Sequence, residues 1–274
     1  MADCIHEFLI QNGEVKKCHD FHNNLIYSDI NVYEVIRVIN GVPLFCEKHL
    51  ERMKKSMELI HMDFPYSYDF CKENIIKLIG ANNKIDGNIK LVINADKPKK
   101  DFMLFYINHH YPEAELYEEG VKTILYHGER DNPNAKIVND DFREKINESI
   151  KKANAYEAIL VDRKGRITEG SRSNIFFVKG DKVITSPLAD VLPGITREEI
   201  LRLCTENKIK VVEEGYSYEE IKFLDGAFIS GTSPRVLPIS YIDEKALNSP
   251  QNPIIKIIIN KYQERMQNYI NCWT

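Results

Sequence analysis

Two kinds of local pattern alternate along the whole chain, and this mixture most constrains the fold. Residues 32–39 are rich in β-branched side chains and end at Asn40-Gly41, a dipeptide that favours a tight hairpin turn because both residues tolerate positive φ. Residues 47–60 instead repeat apolar side chains every three or four positions, which predicts a helix. The same patterns predict helices at 70–79, 142–153, 196–206 and 254–269, and strands at 42–45, 89–93, 102–107, 121–126, 158–161, 175–178, 183–185 and 227–230. Strands and helices mixed in this way predict an α/β (α+β) architecture.

The chain is long enough for two domains. Its 274 residues exceed what one small hydrophobic core needs. Residues 111–119 are polar and contain Pro112, so we interpret 113–119 as a linker between an N-terminal α/β domain, 1–112, and a C-terminal α/β domain, 120–274. A cleft between two domains is a common position for a ligand site, and we expect the site there.

Charge and cysteine content exclude several classes of function. The formal net charge is −4, so binding of nucleic acid by phosphate neutralisation is not expected. The six cysteines form no Cys-x-x-Cys pair and show no metal-ligand spacing, so we expect reduced thiols and no metal site. No apolar run approaches the ~20 residues that span a bilayer, and the first residues lack the pattern of a secretory signal. We therefore expect a cytoplasmic protein with no membrane partner.

Two segments in the second half of the chain have residue types suited to a site. Residues 191–197 read Val-Leu-Pro-Gly-Ile-Thr-Arg, so that Gly194 precedes a helix that can begin at Thr196. Unpaired N–H groups at a helix start carry partial positive charge and suit a phosphate. Residues 168–174 read Thr-Glu-Gly-Ser-Arg-Ser-Asn and lead into an apolar strand. Taken singly, the first segment also fits an ordinary capped helix, and the second fits a surface turn.

The order of the motifs is more specific than any one of them. The run Glu-Gly-Ser-x-Ser-Asn, then Leu-x-Gly-Ile-Thr-Arg, then a strand ending in Gly-Thr at 231–232, resembles the class IV aminotransferases. These fold type IV enzymes depend on pyridoxal 5'-phosphate (PLP) and include branched-chain and D-amino-acid aminotransferases and aminodeoxychorismate lyase. Residues 32–37 and 49–53 resemble the family's first strand and the helix that carries its phosphate-binding arginine. The resemblance covers about residues 27–240 and implies a two-domain, D-amino-acid aminotransferase-like fold.

The resemblance also implies which lysine binds PLP as an imine. In the family this lysine lies in an extended segment between an Arg-x-x-Pro-like stretch and a helix. The segment from Arg130 to Lys136 fits that place, with no gap when counted back from Glu157. Lys145 is the rival, but it lies inside the helix predicted at 142–153, among other charges. Lys136 is therefore the predicted nucleophile and base.

Further roles are implied by the same resemblance. Glu169 would keep the pyridine nitrogen protonated, Tyr33 would lie close to the imine, and Arg52 would offer a planar guanidinium to the phosphate. The other predicted cofactor contacts are Ser173, Asn174, Leu192, Gly194, Ile195, Thr196 and Thr232. The predicted substrate contacts are Tyr33, Arg37, Thr232 and Ser233.

The identity of the substrate stays open at this point. Branched-chain enzymes carry an arginine at the place of Arg37, which would clamp a substrate carboxylate, although an ordinary surface ion pair fits that arginine equally well. The D-amino-acid enzymes use an arginine and a histidine on a later strand, where this chain has Asn94. This departure favours an L-amino donor. Arg235 is a further candidate for a carboxylate contact.

Three functions are consistent with these residues. The first is amino-group transfer from an amino acid, branched-chain or another small one, to a 2-oxo acid. The second is a PLP-dependent lyase of the aminodeoxychorismate type, which would use the same lysine and glutamate. The third is a non-catalytic PLP-binding protein. By analogy with the family we expect a homodimer.

Overall fold

The computed structural model describes residues 4–20, 30–94, 101–130, 132–137 and 140–273. The chain divides into two compact units. Unit 1 comprises Met1–His110, Ala135–Val138 and Met266–Thr274, and unit 2 comprises Tyr111–Asn134 and Asn139–Arg265. Within the described ranges, no helix is both long and apolar enough to cross a membrane.

Unit 1 contains one antiparallel sheet and two helices. Its strands are β1 (Ile5–Gln11), β2 (Glu14–Lys17), β3 (Asn31–Ile39), β4 (Val42–Pro43), β5 (Gly87–Asn94) and β6 (Phe102–Ile107), and its helices are α1 (Cys46–Leu59) and α2 (Tyr68–Asn82). The strand order is β2-β1-β6-β5-β3-β4. The β3–β4 turn has φ values of 51° at Asn40 and 78° at Gly41, which confirms the predicted hairpin.

Side chains alternate between the two faces of this sheet. Val32, Ile36 and Val38 of β3 enter the core that also contains apolar residues of α1 and α2. The intervening residues of β3, among them Tyr33, lie on the opposite face with Phe105 and other apolar side chains. Both faces of strand β3 are therefore packed, one in the core with α1 and α2 and the other in the smaller cluster that contains Tyr33.

Unit 2 is built on a mixed sheet. Its strands are β7 (Val121–His127), β8 (Glu157–Val161), β9 (Arg166–Gly170), β10 (Asn174–Lys179), β11 (Lys182–Thr185), β12 (Lys210–Glu213), β13 (Tyr216–Ser217), β14 (Gly226–Gly231), β15 (Arg235–Ile242) and β16 (Lys245–Ala246). The strand order is β12-β11-β10-β14-β15-β7-β8-β9-β13, and β16 pairs with β15. The helices are α3 (Ala114–Glu119), α4 (Asp140–Lys152), α5 (Ile195–Glu206) and α6 (Pro253–Cys272), of which α6 continues into the residues grouped with unit 1.

The structure differs from the expected organisation in three places. The segment at 113–119, expected to be a linker, carries helix α3 within unit 2. Residues 135–138 and 266–274 group with unit 1, although both fall within the C-terminal domain expected at 120–274. The polar run that begins at Thr168 has the composition of a turn, but Thr168, Glu169 and Gly170 are buried residues of strand β9. Hydrogen bonds between strands hold these residues in β9, and polarity alone does not reveal them.

The expectation that all cysteines are reduced thiols was wrong. Cys4 and Cys18 form a disulfide within unit 1. Both cysteines pack against the apolar cluster that contains Tyr33. Spacing in the sequence does not indicate this pair, because the β1–β2 hairpin brings residues 14 positions apart into contact.

Candidate functional site

Lys136 is held in unit 1 by its backbone. The Lys136 carbonyl accepts a hydrogen bond from the Tyr33 N–H at 3.1 Å, and the Lys136 N–H donates to the Ser56 hydroxyl at 3.3 Å. An isolated bridge between Val32 and Ile137 extends the same contact. The segment is thereby attached to β3 and α1, and the Lys136 amine lies 4.9 Å from the centre of the Tyr33 ring. Lys145, the rival, is an exposed residue of α4.

A buried ion cluster lies beside this lysine segment. Arg52 donates to both carboxylate oxygens of Glu34, at 2.7 Å from Nε and 2.6 Å from Nη2, and His49 Nδ1 lies 2.7 Å from Glu34 Oε2. All three side chains are buried, and His49 and Arg52 are one helical turn apart on α1. Glu34 therefore fixes the orientation of the Arg52 guanidinium. This role of Glu34 was not predicted, although Glu34 follows Tyr33 in the same motif, because its partner Arg52 lies 18 residues away.

The charged groups of this cluster shift one another's pKa. Burial by itself raises the pKa of Glu34, but the charge and hydrogen bonds of Arg52, with help from His49, lower that pKa to about 2. Burial lowers the pKa of His49; the Glu34 carboxylate opposes the shift, while the charges of Arg52 and Lys136 add to it. The cluster is accordingly an ionised carboxylate, a guanidinium and a neutral imidazole at neutral pH.

The face of the unit 1 sheet that carries Tyr33 also carries two basic side chains. Arg37 lies directly opposite Asn88 in the β3–β5 register, and Lys90 follows two residues later, so both basic side chains lie on the face of Tyr33. The Lys90 amine is 5.7 Å from the centre of the Tyr33 ring. Asn94 ends β5 on the same face and is buried. Lys90 could not be predicted from the sequence, because its register against β3 is a property of the folded sheet.

Glu169 is a buried carboxylate at the end of strand β9 in unit 2. One of its oxygens accepts a hydrogen bond from Arg130 Nη1 at 3.1 Å, and the other accepts one from the Leu192 N–H at 3.0 Å. The Arg130 pairing was not predicted, although Arg130 belongs to the motif used to locate Lys136. The position of the carboxylate is thus set from two directions, by a side chain after β7 and by the loop before α5.

The loop after Glu169 is organised by a second buried carboxylate. Glu157 accepts hydrogen bonds from the Arg172 N–H at 2.7 Å and from the Ser173 hydroxyl at 2.9 Å. Burial raises the pKa of Glu157, and these donors oppose the shift. A side chain at Gly170 would collide with Ser173 and Glu157. Because the Ser173 proton is donated to Glu157, the structure gives Ser173 a role in shaping the loop.

Helix α5 begins at a site formed from backbone groups. Gly194 is the N-cap residue, and because it has no side chain it cannot cap the helix itself. Asn174 donates to the Leu192 carbonyl at 2.9 Å, and its side-chain oxygen lies where a Cβ on Gly194 would be. Ile195 and Thr196 occupy the first turn and are buried, and the N-cap glycine offers no side-chain acceptor to the N–H groups of that turn. The Thr196 hydroxyl is 3.4 Å from the Tyr262 hydroxyl of α6.

The predicted contacts at 231–235 lie in the turn between β14 and β15. Gly231 pairs with Arg235, so that Thr232 and Ser233 form the tip of the turn. Arg235 adopts a positive φ of 56°. The Pro234 carbonyl accepts a hydrogen bond from the Tyr117 hydroxyl at 3.0 Å, which attaches the turn to α3.

Each unit thus brings some of the predicted residues together. Unit 1 contains Tyr33, Arg37, Arg52 and Lys136. Unit 2 contains Glu169, Ser173, Asn174, Leu192, Gly194, Ile195, Thr196, Thr232 and Ser233. Among the described residues, no group of three or more His, Cys, Asp or Glu side chains could hold a metal ion.

The sequence of this chain is similar to those of known aminotransferases. The family model described as amino-transferase class IV matches residues 31–242. The chain is 30% identical to a D-alanine aminotransferase of Bacillus licheniformis over 261 residues, which cover 87% of each chain. It is 29% identical to a putative branched-chain-amino-acid aminotransferase of Methanocaldococcus jannaschii over 269 residues, 92% of this chain and 91% of the relative.

Solved structures have the same fold. The branched-chain aminotransferase of the thermophilic archaeon Thermoproteus uzoniensis, determined with norvaline, superposes with a TM-score of 0.86 at 23% identity, covering 96% of each chain. A second branched-chain amino acid aminotransferase, determined with pyridoxamine 5'-phosphate, superposes with a TM-score of 0.86 at 20% identity. That superposition covers 97% of this chain and 96% of the other.

Proposed function

The chain belongs to the class IV aminotransferases, and from this premise we propose that it transfers amino groups with PLP bound covalently to Lys136. The observation that carries the proposal is the position of Lys136, whose backbone is bonded to β3 and α1 and whose amine lies at the Tyr33 ring. The named relatives are aminotransferases, so the lyase and the non-catalytic alternatives are not favoured.

Two features of the structure test whether the residues fit PLP. The first turn of α5 follows a glycine that offers no side-chain cap, and this glycine lies against Asn174 where a larger residue would not fit. Uncapped N–H groups at a helix start suit a phosphate. Glu169 is a buried carboxylate oriented by two hydrogen bonds, and such a carboxylate suits the N–H of a protonated pyridine ring. The residues therefore fit the cofactor.

When bound, PLP supplies an electron sink for a carbanion at the substrate Cα. We assign to Lys136 the covalent attachment and the movement of the Cα proton through its amine. The Tyr33 ring packs against this amine and orients it. His49 is neutral, so it adds no charge that would compete with the lysine.

Glu169 would hold the ring nitrogen in its protonated form. Arg130 bonds to one oxygen and the Leu192 N–H to the other, and the two bonds orient the carboxylate. For the phosphate we assign Arg52, oriented by Glu34, together with the backbone of Ile195, Thr196 and the turn at Thr232.

For the substrate we propose an α-amino acid bound through the cations on the Tyr33 face. Arg37 and Lys90 are diagonal neighbours, about 7–8 Å apart at the backbone for such positions. Two cations at that spacing suit an acid with two carboxylates, and we propose a 2-oxo diacid as one of the two substrates. The relatives include both a D-alanine aminotransferase and a putative branched-chain enzyme, so both kinds of donor belong in the test.

Lys136→Ala tests the proposal directly. We expect the variant to lose the visible absorbance of lysine-bound PLP and all transfer of the amino group, while the matched control Lys145→Ala keeps both. Turnover in Lys136→Ala, or its loss in Lys145→Ala, would show that the wrong lysine was assigned.

A panel of amino donors then tests the substrate. Pyridoxamine phosphate formation is measured with L-glutamate, L-leucine and D-alanine. Our proposal expects reaction with L-glutamate, and a Lys90→Met variant should weaken that donor more than L-leucine. Reaction with D-alanine alone would contradict both the diacid and the L-donor.

Two further expectations remain proposals. We propose a homodimer and a cytoplasmic location, both supported by membership of the family.

A further inference from the structure

We propose that Ser230 is an additional ligand of the phosphate bound at the start of α5. The Ser230 side chain is only 1% exposed, and its hydroxyl has no hydrogen-bond partner among the residues that the structure describes. A buried hydroxyl without a partner costs free energy, since it has lost its bonds to water and gained none. A ligand that accepts its proton would remove that cost.

The register of the sheet gives the direction of the Ser230 side chain. Ser230 of β14 lies directly opposite Asn174 of β10. Side chains at directly opposite positions lie on the same face, with Cβ atoms about 4.5–5.5 Å apart. Ala227 and Ile229, at alternate positions of the same strand, instead belong to the core on the other face of the sheet. Ser230 therefore shares its surroundings with Asn174.

Asn174 connects that face to the start of α5. Its side chain donates to the Leu192 carbonyl and lies against Gly194, the N-cap residue. Ser230 therefore lies beside the side chain that contacts the loop before α5, whose N-cap glycine offers no side-chain acceptor to the first N–H groups. A helix that begins after a glycine and a buried hydroxyl without a partner among the described residues are independent observations, and one anion satisfies both.

This inference rests on the proposed function, because the anion is taken to be the cofactor phosphate. Ser230 would donate its O–H to a phosphate oxygen beside the N–H groups of Ile195 and Thr196. No covalent step is involved, so the contribution is to affinity for the cofactor. A hydrogen bond to a charged group predicts a loss of roughly 10- to 100-fold in affinity when the hydroxyl is removed.

The test compares Ser230→Ala with Ser249→Ala. Ser249 is equally buried, but its hydroxyl accepts a hydrogen bond from the Ala227 N–H at 2.9 Å. The proteins are purified with PLP, stripped and titrated with PLP or with pyridoxal, which lacks the phosphate. We expect Ser230→Ala to weaken PLP binding roughly 10-fold or more, to leave pyridoxal binding unchanged, and to keep or raise the melting temperature of the stripped protein.

The control should behave in the opposite way. Ser249→Ala is expected to lower the melting temperature and to leave the affinity ratio of PLP to pyridoxal unchanged. If Ser249→Ala does not fold, Ser186→Ala replaces it, since that buried hydroxyl donates to the Ile167 carbonyl at 2.8 Å.

The outcomes separate the two proposals. The inference alone would be overturned if the wild type shows normal lysine-bound absorbance and Ser230→Ala binds PLP as tightly as the wild type. It would also be overturned if Ser230→Ala loses affinity for PLP and for pyridoxal by the same factor. A lower melting temperature of stripped Ser230→Ala with no change in the affinity ratio would overturn it too, because the hydroxyl would then have a structural partner. Failure of the wild type to bind PLP at all would overturn the proposed function, and the inference with it.

Discussion

Replacing Glu34 with Gln should destabilise the protein through its buried ion cluster. The Glu34 side chain is fully buried, receives two hydrogen bonds from Arg52 and contacts His49. Glutamine has nearly the same shape but no charge, so it cannot balance the buried guanidinium. The perturbation therefore changes electrostatics while leaving the packing almost unaltered.

The structure sets the size of the effect. The pKa of Glu34 is lowered from 4.5 to about 2, which corresponds to about 3 kcal/mol of stability at neutral pH. Removing one partner of a buried ion pair costs ~3–5 kcal/mol in general, so the two approaches agree. For a chain of this size, the loss should lower the melting temperature by roughly 5–10 °C.

The assay is unfolding by urea and by heat at pH 7 and at pH 3, with Glu51→Gln as the control. Glu51 is an exposed residue of the same helix α1 that pairs with Lys55 at 2.7 Å, so its replacement should cost less than ~1 kcal/mol. Because the folded-state pKa of Glu34 is depressed, its contribution is complete above about pH 4.5 and is lost as the pH falls towards 2. The difference between Glu34→Gln and wild type should therefore shrink at pH 3. A loss at pH 7 no larger than that of Glu51→Gln, or a difference independent of pH, would refute the reasoning.

Two other predictions concern neighbouring groups. Burial lowers the folded-state pKa of His49 below 6.5, so the unfolded state binds the proton more readily and stability should fall as the pH drops from above 6.5 to 5.5. His49→Gln should reduce this pH dependence, measured as the urea midpoint at pH 7.5 and at pH 5.5. An unchanged pH dependence in the variant would count against the assignment. Arg130→Met should cost ~1–2 kcal/mol in urea unfolding, because Glu169 loses the guanidinium bond and keeps the Leu192 amide. No measurable loss in Arg130→Met would mean that solvent replaces the guanidinium.

Elements with a strong local pattern could be predicted from the sequence. The hairpin at Asn40-Gly41 needs positive φ at two adjacent residues, and few residue types adopt that conformation readily. The predicted ends of helices α1 and α2 agree with the structure to within a few residues, since a helical period requires only that one face be apolar. Short strands such as β2 and β13 escape prediction because four residues or fewer show no clear period.

Polar residues in a buried strand escape the same reasoning. Thr168 and Glu169 are buried in β9, where hydrogen bonds from Arg130 and from the Leu192 amide satisfy the carboxylate. Such partners offset the free-energy cost of burying a charged side chain. The partners come from outside the strand, so the run of residues from 168 to 174 by itself resembles a turn.

What the sequence determined by itself is the set of reactive groups and their order along the chain. Lys136, Glu169 and the glycine before α5 are predicted because the order of the motifs resembles the class IV aminotransferases, and no one of these motifs is specific by itself. Only the tertiary structure decided which groups meet. Arg52 reaches Glu34 across 18 residues, Arg130 reaches Glu169 across 39, and Ser230 faces Asn174 through strand register. Such partners depend on how distant strands align, and a shift of one residue would turn each side chain to the other face.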